Sequence, residues 1–428
     1  SFNHRIDFFQ MATATFCIYY GFVPFLAKTS NFDYQAIYLK NVVSVTGSQY
    51  LFTSSLCLFL IIIFILPNIR RISRKPFPIP VHKRETDLKR LYTTYRIVGY
   101  SCLLVGLLST IIISVSLGGI VELIKLSEKA RSYGKGAEPY IESGLLPFRA
   151  LMILVLASPF LFLIVKRIRK NLINSILFYV SMIASSIFLL INAGRIVIFT
   201  FFIPFFLNHL LKSRHRLLYL TLLCFFILFL LPISDDLFFY ISYGFFKEPN
   251  HGLNPLQYFI EQFGYPYANL LNAGCLRENI GFRYGVDLIL WILNIVPVSI
   301  LNSFGLWKIL NINDHVSLFY SMTGDVSKII SGVPTDIITF GYLQLGIVGT
   351  VCIIFFFSLF IKYLDKMMYS DSHYLIKEEM YLRMILISGF FVSNACLDSI
   401  IRGRADFIIF FVLTLLGYKC AKLKVRTI

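Results

Sequence analysis

Long apolar runs with few charged residues are the feature that most constrains this chain. Several exceed the roughly 18 residues that a helix needs to cross a bilayer, which favours helices over barrel strands. Charged residues make up 15% of the sequence, against about 25% in soluble domains. The sequence predicts an all-α polytopic membrane protein with about 10–12 transmembrane helices; ten spans are assigned, at about 8–27, 48–67, 97–120, 149–165, 173–193, 196–211, 217–233, 337–361, 384–399 and 405–420.

Clusters of lysine and arginine set the orientation of these spans. The linker after the second span, residues 68–96, is rich in basic residues, and basic loops stay in the cytoplasm. Strict alternation then places the clusters at 166–170, 212–216 and 362–366 on the same side, together with the basic tail. We expect a multi-pass membrane protein whose N- and C-termini are cytoplasmic. The net charge of +17 is explained by these loops, so no nucleic-acid partner is indicated.

The same alternation divides the chain into three parts. Residues 1–233 hold about seven spans, residues 234–336 form a long loop on the outer side, and residues 337–428 hold about three spans. The loop, called the outer segment below, has five lysines and arginines against nine aspartates and glutamates, so it lacks a cytoplasmic charge bias. Two of its stretches, 236–246 and 286–304, are predicted to be interfacial helices, with a further span as the alternative for the second.

Four arginines depart from the positive-inside pattern, and all are expected on the outer side. They are Arg195, Arg283, Arg402 and Arg404. A guanidinium group stays charged and pairs with phosphate oxygens through two parallel hydrogen bonds. A lipid-linked phosphate or pyrophosphate is therefore a natural ligand. Contacts with lipid headgroups, or ion pairs with nearby aspartates, are the alternative.

Carboxylates and histidines in the outer segment are candidates for a general base, because activating a sugar hydroxyl requires a proton acceptor within hydrogen-bond reach. The candidates are Asp336, Asp287, Glu278 and His251. The alternative for Asp336 is a helix N-cap, and Asp287 and Glu278 could instead pair with neighbouring arginines. No metal site, disulfide framework or nucleotide-binding motif is indicated, and no cofactor is expected.

Three features resemble the Wzy-type polymerases of O-antigen and capsular polysaccharide. The first is the layout, with one long periplasmic segment before the last three spans. The second is the sequence Phe-Arg-Tyr-Gly at 282–285, followed by an apolar stretch. The third is the stretch 332–342, a Pro-Thr-Asp turn running into a glycine-containing helix. Many family members carry a glutamate where this chain has Phe340, so that role does not carry over.

The resemblance implies a bacterial inner-membrane location, with residues 234–336 as a periplasmic loop, and a function. Such enzymes join oligosaccharide repeat units linked to undecaprenyl pyrophosphate at the periplasmic face and release undecaprenyl pyrophosphate. They are glycosyltransferases with a fold like that of the lipid-carrier-dependent, GT-C-like enzymes. The four arginines would hold the pyrophosphate. Membrane lipids and a chain-length regulator protein are the other expected partners. Aromatic rings of the outer segment would stack on sugars: Tyr240, Tyr243, Tyr284 and Trp291.

Two related functions remain as alternatives. A flippase for lipid-linked oligosaccharides would be expected to have more spans, shorter loops and cationic residues deep within its spans, whereas charged residues avoid the interiors of the spans assigned here. An O-antigen ligase would share the layout but would transfer finished polymer.

Overall fold

The computed structural model describes residues 7–30, 47–68, 85–132, 143–191, 195–212, 255–294, 310–322, 333–368 and 378–397, with isolated residues between 218 and 240 and at 412 and 416. These residues form helices and no strand. Six helices among them are long and apolar enough to cross a membrane. They are Phe8–Thr29, Gly47–Asn68, Lys89–Ser116, Pro147–Ile168, Leu172–Ile191 and Ile337–Lys366. The predicted all-α membrane architecture is confirmed at this level.

The predicted span bounds agree closely with these helices, with some exceptions. The third helix begins earlier than expected, at Glu85, and runs to Ser116. The helix Arg195–Lys212 contains Pro204 in its interior, and its apolar described part, Ile198–Leu207, is shorter than a full span. The predicted spans 217–233 and 405–420 lie outside the residues whose structure is described, apart from isolated positions.

Aromatic side chains on three spans form the centre of the helix bundle. Phe64 stacks on Phe9 and on Phe357, with ring centroids 5.5 and 5.8 Å apart, and Phe16 lies 5.1 Å from Phe64. All four rings are buried. Since hydrocarbon surrounds the bundle, tight packing and not water exclusion holds these helices together.

Contacts at one end of the bundle join residues in or near the span ends that the charge pattern assigns to the cytoplasmic side. The backbone N–H of Phe8 donates to Asp365 Oδ1 over 3.0 Å, and Asn68 Nδ2 donates to Ser358 Oγ over 2.9 Å. Arg167, at the end of its helix, forms an ion pair with Glu379. These contacts agree with the predicted alternation. The compartment itself stays a prediction.

The predicted span 337–361 is not one continuous helix. The helix Ile337–Met368 is interrupted at Leu345 and Gly346, whose backbone angles are not helical. The hydroxyl of Thr350 donates to the carbonyl of Ile338 over 3.3 Å, although twelve residues of straight helix would separate them by about 18 Å. The two parts therefore lie side by side as a hairpin, with a short arm (residues 337–344) and a long arm (residues 347–368).

Glycines allow the two arms to approach each other. A Cβ atom on Gly341 would lie 2.6 Å from Thr350 Cα, and one on Gly349 would lie 2.3 Å from the carbonyl oxygen of Gly341. Gly346, at the turn, has φ +65°, which side chains rarely adopt. The long arm alone has enough residues to cross a bilayer, since about 20 are needed. The short arm then returns into the bundle.

A second helix is also interrupted. The predicted span 384–399 is a helix from Glu378 to Ser393, after which residues 394–396 are not helical. The N–H of Ala395 donates to the carbonyl of Thr335 over 2.8 Å. The non-helical residues before the short arm thus pair with the non-helical stretch after Ser393, and the two interrupted helices meet inside the bundle.

Short helices of the outer segment pack on the ends of the first two spans and on the hairpin. They are Pro255–Phe263, Tyr265–Leu271, Ala273–Ile280, Val286–Leu293 and Ile312–Ser321. Ile260 is buried with Val23 and Ala27 of the first span, and the hydroxyls of Tyr267 and Ser54 are 3.2 Å apart. Val286–Leu293 is the described part of the predicted interfacial helix 286–304, and its exposed side is apolar, with Ile292 70% exposed. Such a face suits lipid contact.

Candidate functional site

The side chain of Arg283 is held by an ion pair inside the outer segment. Its Nε and Nη2 atoms donate to the two carboxylate oxygens of Asp287 over 2.9 and 3.1 Å. Asp287 also accepts from Gln344 Nε2 over 2.9 Å and from the N–H of Ile312 over 3.1 Å. Its side chain is buried. This cluster, called the Arg283 knot, joins the hairpin turn to two helices of the outer segment.

His315 lies at the edge of the Arg283 knot, with its Nε2 atom 3.4 Å from Arg283 Nη1. Burial of the ring lowers the pKa of His315, and the charge of Arg283 lowers it further, while Asp287 and Asp314 oppose the shift. The imidazole is therefore neutral at neutral pH.

The chain at 282–285 follows the hairpin turn closely. The N–H groups of Arg283 and Tyr284 donate to the carbonyls of Leu343 and Gln344 over 2.9 and 3.1 Å. Tyr284 and Gly285 both have left-handed backbone angles, with φ +47° and +84°. For a tyrosine this conformation is strained, and such strain is concentrated at functional sites.

A half-exposed group of side chains surrounds this strained turn at the tip of the hairpin. Arg277 donates to the Tyr342 hydroxyl over 3.4 Å, and its guanidinium carbon lies 5.7 Å from the centre of the Phe282 ring. Phe282 and Tyr284 have ring centroids 5.9 Å apart, and Tyr284 is 73% exposed. Glu278, next to Arg277, is exposed. We call Arg277, Glu278, Phe282, Tyr284 and Tyr342 the tip cluster.

Asp336 lies inside the bundle and not at the end of a span. Its Oδ1 atom accepts hydrogen bonds from the Tyr20 hydroxyl over 2.5 Å and from the N–H groups of Ile338 and Thr339 over 3.1 and 3.0 Å. The predicted N-cap role is thus confirmed. Tyr20 comes twelve residues after Phe8, about 18 Å along the first span, so Asp336 lies near the middle of the helix length. Our expectation that charged residues avoid the span interiors is wrong here.

Several oxygens around Asp336 have no hydrogen bond of normal geometry. Within the described residues, the buried atoms Asp336 Oδ2, Thr339 Oγ1, Asn269 Oδ1 and Thr335 Oγ1 find no partner. All four side chains are fully buried. The side chains of Thr339 and Asn269 adjoin the carboxylate, and Asn269 Nδ2 donates to the carbonyl of Pro334 over 2.9 Å. Buried polar atoms normally have hydrogen-bond partners, so these four oxygens indicate a position where a further partner could bind.

The aromatic side chains predicted to bind sugars have different surroundings. Trp291 stacks on Phe340 at 5.2 Å and meets Phe391 edge-on at 6.0 Å, so protein rings occupy one face and an edge. Tyr240 is helical and exposed, whereas Tyr243 lies outside the described residues.

The four arginines predicted to bind pyrophosphate can be located only in part. Arg195 begins the helix Arg195–Lys212, but its side chain is not among those described. Arg402 and Arg404 lie outside the described residues, as does the predicted base His251. The gathering of these arginines around one ligand stays a prediction.

Some residues of these clusters were not singled out from the sequence. Tyr20 and Asn269 contact Asp336 from distant parts of the chain, and Gln344 completes the Arg283 knot. Arg383 is fully buried between the rings of Phe160 and Phe201, at 5.2 and 5.6 Å from their centres. The sequence signal for Gln344 and Arg383 is a polar residue within an apolar run. No such signal marks Tyr20 or Asn269.

Comparisons with known proteins add nothing to this description: no protein-family model, curated protein or solved structure matches the chain.

Proposed function

We propose that this protein is a polysaccharide polymerase that extends oligosaccharide repeat units carried on undecaprenyl pyrophosphate. In the reaction, the bond between the sugar C1 of the growing chain and the pyrophosphate oxygen breaks. A hydroxyl of the next lipid-linked unit forms the new bond to C1, its proton passes to a base, and undecaprenyl pyrophosphate leaves. The substrate carries the energy for this step, and no nucleotide is required.

The tip cluster is the observation that carries this proposal. It places one cation and three aromatic rings beside a strained turn, with an exposed carboxylate on the residue after Arg277. A pyrophosphate leaving group needs fixed positive charge where its negative charge develops. Sugars pack against aromatic rings. Arg277 can supply the positive charge and Tyr284 the aromatic ring. Both belong to the outer segment, which the charge pattern predicts to lie outside.

Apolar side chains next to the tip cluster suit the lipid tail of the carrier. Ile289 and Ile292 are exposed on the helix Val286–Leu293, and Leu345 of the hairpin turn is exposed together with Ile347 and Val348 at the start of the long arm. A pyrophosphate at Arg277 would then have its polyprenyl chain along an apolar surface, as an amphiphile at a bilayer interface requires.

The described carboxylates differ as candidates for the base. Asp287 is buried and accepts four hydrogen bonds, and Asp336 is buried among other spans. Glu278 is exposed in the tip cluster, so it is the described candidate best able to reach a sugar hydroxyl. In this proposal Arg283 positions the turn, because its guanidinium group is committed to Asp287.

Glycan analysis of a deletion strain tests the proposal. Loss of a polymerase leaves single repeat units at the outer face, where they are accessible to a membrane-impermeant glycosidase. Loss of a flippase leaves them protected inside, and loss of a ligase leaves free polymer. Either of the last two patterns, or unchanged surface polymer, contradicts the proposal.

A lipid-linked-oligosaccharide flippase is a second candidate, because two interrupted helices meet at a buried carboxylate. Transporters commonly form substrate or coupling-ion sites from such discontinuous helices near the bilayer midplane. The location of the repeat units in the deletion strain separates this function from polymerisation.

A further inference from the structure

The carboxylate of Asp336 has donors on one oxygen only. Tyr20 and two backbone N–H groups point at Oδ1, while Oδ2 has no partner of normal geometry among the described residues. Asp336 takes part in none of the ion pairs found in the described part of the chain. A carboxylate removed from water needs a compensating positive charge or further hydrogen bonds. The donors on Oδ1 and the start of the short arm supply only part of this.

The polar side chains around Asp336 have the chemistry of ligands for a hard cation. Thr339 Oγ1, Asn269 Oδ1 and Thr335 Oγ1 are uncharged oxygens, each buried and without a hydrogen bond of normal geometry among the described residues. Thr339 and Asn269 lie against the carboxylate. Hard cations are bound by carboxylate, amide and carbonyl oxygens. One carboxylate with neutral oxygens carries a single negative charge, which matches a monovalent ion.

The backbone around Asp336 has the form found at ion sites inside membrane proteins. Residues 333–336, just before the short arm, and residues 394–396, at the break after Ser393, are not helical, and the N–H of Ala395 joins them by donating to the carbonyl of Thr335. Unwound backbone of this kind exposes carbonyl groups that a helix would use internally, and in transporters such groups coordinate Na⁺.

We propose that Asp336 is the anionic ligand of a buried Na⁺ site, completed by Thr339 and Asn269, with Thr335 as a further oxygen donor. The ion neutralises Asp336 and holds the short arm against the non-helical stretch after Ser393. This site is separate from the tip cluster, and the inference does not depend on polymerase activity.

Thermal unfolding of the purified full chain in detergent, at constant ionic strength, tests the site. Choline chloride is replaced stepwise by NaCl and, in a parallel series, by KCl. A ligand that binds only the folded state raises its melting temperature in a saturable way. We expect a saturable rise with NaCl and a smaller one or none with KCl, and direct binding of ²²Na⁺ at about one ion per chain.

Two variants assign the ion to Asp336. Asp336→Asn keeps an N-capping oxygen but removes the charge, so the protein should fold and lose both the Na⁺-dependent rise and ²²Na⁺ binding. Thr339→Val keeps the carboxylate and removes one ligand, so the NaCl midpoint should move to higher concentration. This second variant keeps the test valid if Asp336→Asn does not fold. Glu122→Gln removes an exposed carboxylate paired with Lys125, and should behave as wild type.

The inference is overturned by any of three results. They are a melting temperature that NaCl does not change, equal rises with NaCl and KCl, and a Na⁺ response that Thr339→Val leaves intact. The first would mean that water or nothing occupies the space, and the second that the protein does not select Na⁺.

Discussion

The hydroxyl of Tyr20 donates a 2.5 Å hydrogen bond to the carboxylate of Asp336, linking the first span to the start of the hairpin. Both side chains are buried. Because leaving a buried charged acceptor with one donor fewer costs about 1–3 kcal/mol, Tyr20→Phe should lower the free energy of unfolding by roughly that amount. Denaturation in mixed micelles measures it. Tyr363→Phe, at an exposed ring, serves as the control, and equal losses for both variants would contradict the role of this hydrogen bond.

The Arg283 knot gives a second stability prediction. Removing one partner of a buried ion pair strands the other charge, which typically costs about 3–5 kcal/mol. Arg283→Ala should therefore destabilise the protein strongly, and Arg283→Lys should restore only part of the loss, since lysine lacks the planar fork. The double variant Arg283→Ala with Asp287→Asn should be more stable than Arg283→Ala alone. Independent, additive losses in this double-mutant cycle would show that the two side chains do not act as a pair.

The crossing of the two hairpin arms depends on glycine. Gly341→Ala would place a methyl group against the backbone of Thr350, and overpacking of this kind costs typically about 1–3 kcal/mol or more. Gly274→Ala adds a methyl group where nothing lies within 4 Å, so it should be neutral or slightly stabilising in its helix. Melting temperatures of the two variants in the same detergent make the comparison. Equal melting temperatures would argue against the close crossing.

His315 should make stability depend on pH. Its pKa in the folded protein is below the ordinary value of about 6.5, because burial and Arg283 disfavour the charged ring. Below pH about 6.5 the unfolded chain binds a proton that the folded chain does not, so this residue's contribution to stability falls as the pH falls toward the lowered pKa. The slope of melting temperature against pH should be shallower for His315→Asn. An unchanged slope would exclude His315 as its source.

Arg277 connects the tip cluster to the proposed function. Arg277→Ala should shorten or abolish the polymer made by a deletion strain that expresses it, because one charge-assisted contact to the leaving group is lost. Such donors typically contribute about 10²–10³-fold to rate. Glycan length on gels measures the effect at matched protein levels. Lys125→Ala, at an exposed lysine of another helix, should leave the polymer unchanged, and normal polymer from Arg277→Ala would rule out its role.

Much of the fold follows from the sequence because a long apolar run is stable in a bilayer as a membrane-spanning helix. The spans Gly47–Asn68 and Leu172–Ile191 lie within two residues of their predicted bounds. The hairpin could not be anticipated, since the apolar run 337–361 continues through the break at Leu345 and Gly346. A glycine within an apolar helix is common in membrane proteins, so Gly346 alone did not mark a turn.

The candidate sites were predictable only where partners are close in sequence. Arg283 and Asp287 are four residues apart at the start of a helix, and the alternative that they pair with each other is what the structure contains. Asp336 was recognised as a helix cap, but its depth depends on Tyr20, Asn269 and the second interrupted helix. Those contacts arise from tertiary packing, which no local pattern encodes.

Chain extension by the purified protein tests the central claim most directly. The full chain, reconstituted in liposomes, is given the isolated undecaprenyl-pyrophosphate-linked repeat unit and no nucleotide, with heat-inactivated protein as the control. The account predicts a ladder of longer lipid-linked glycans, with one undecaprenyl pyrophosphate released for each unit added. Repeat units that stay single, or that cross the bilayer without being joined, would contradict it.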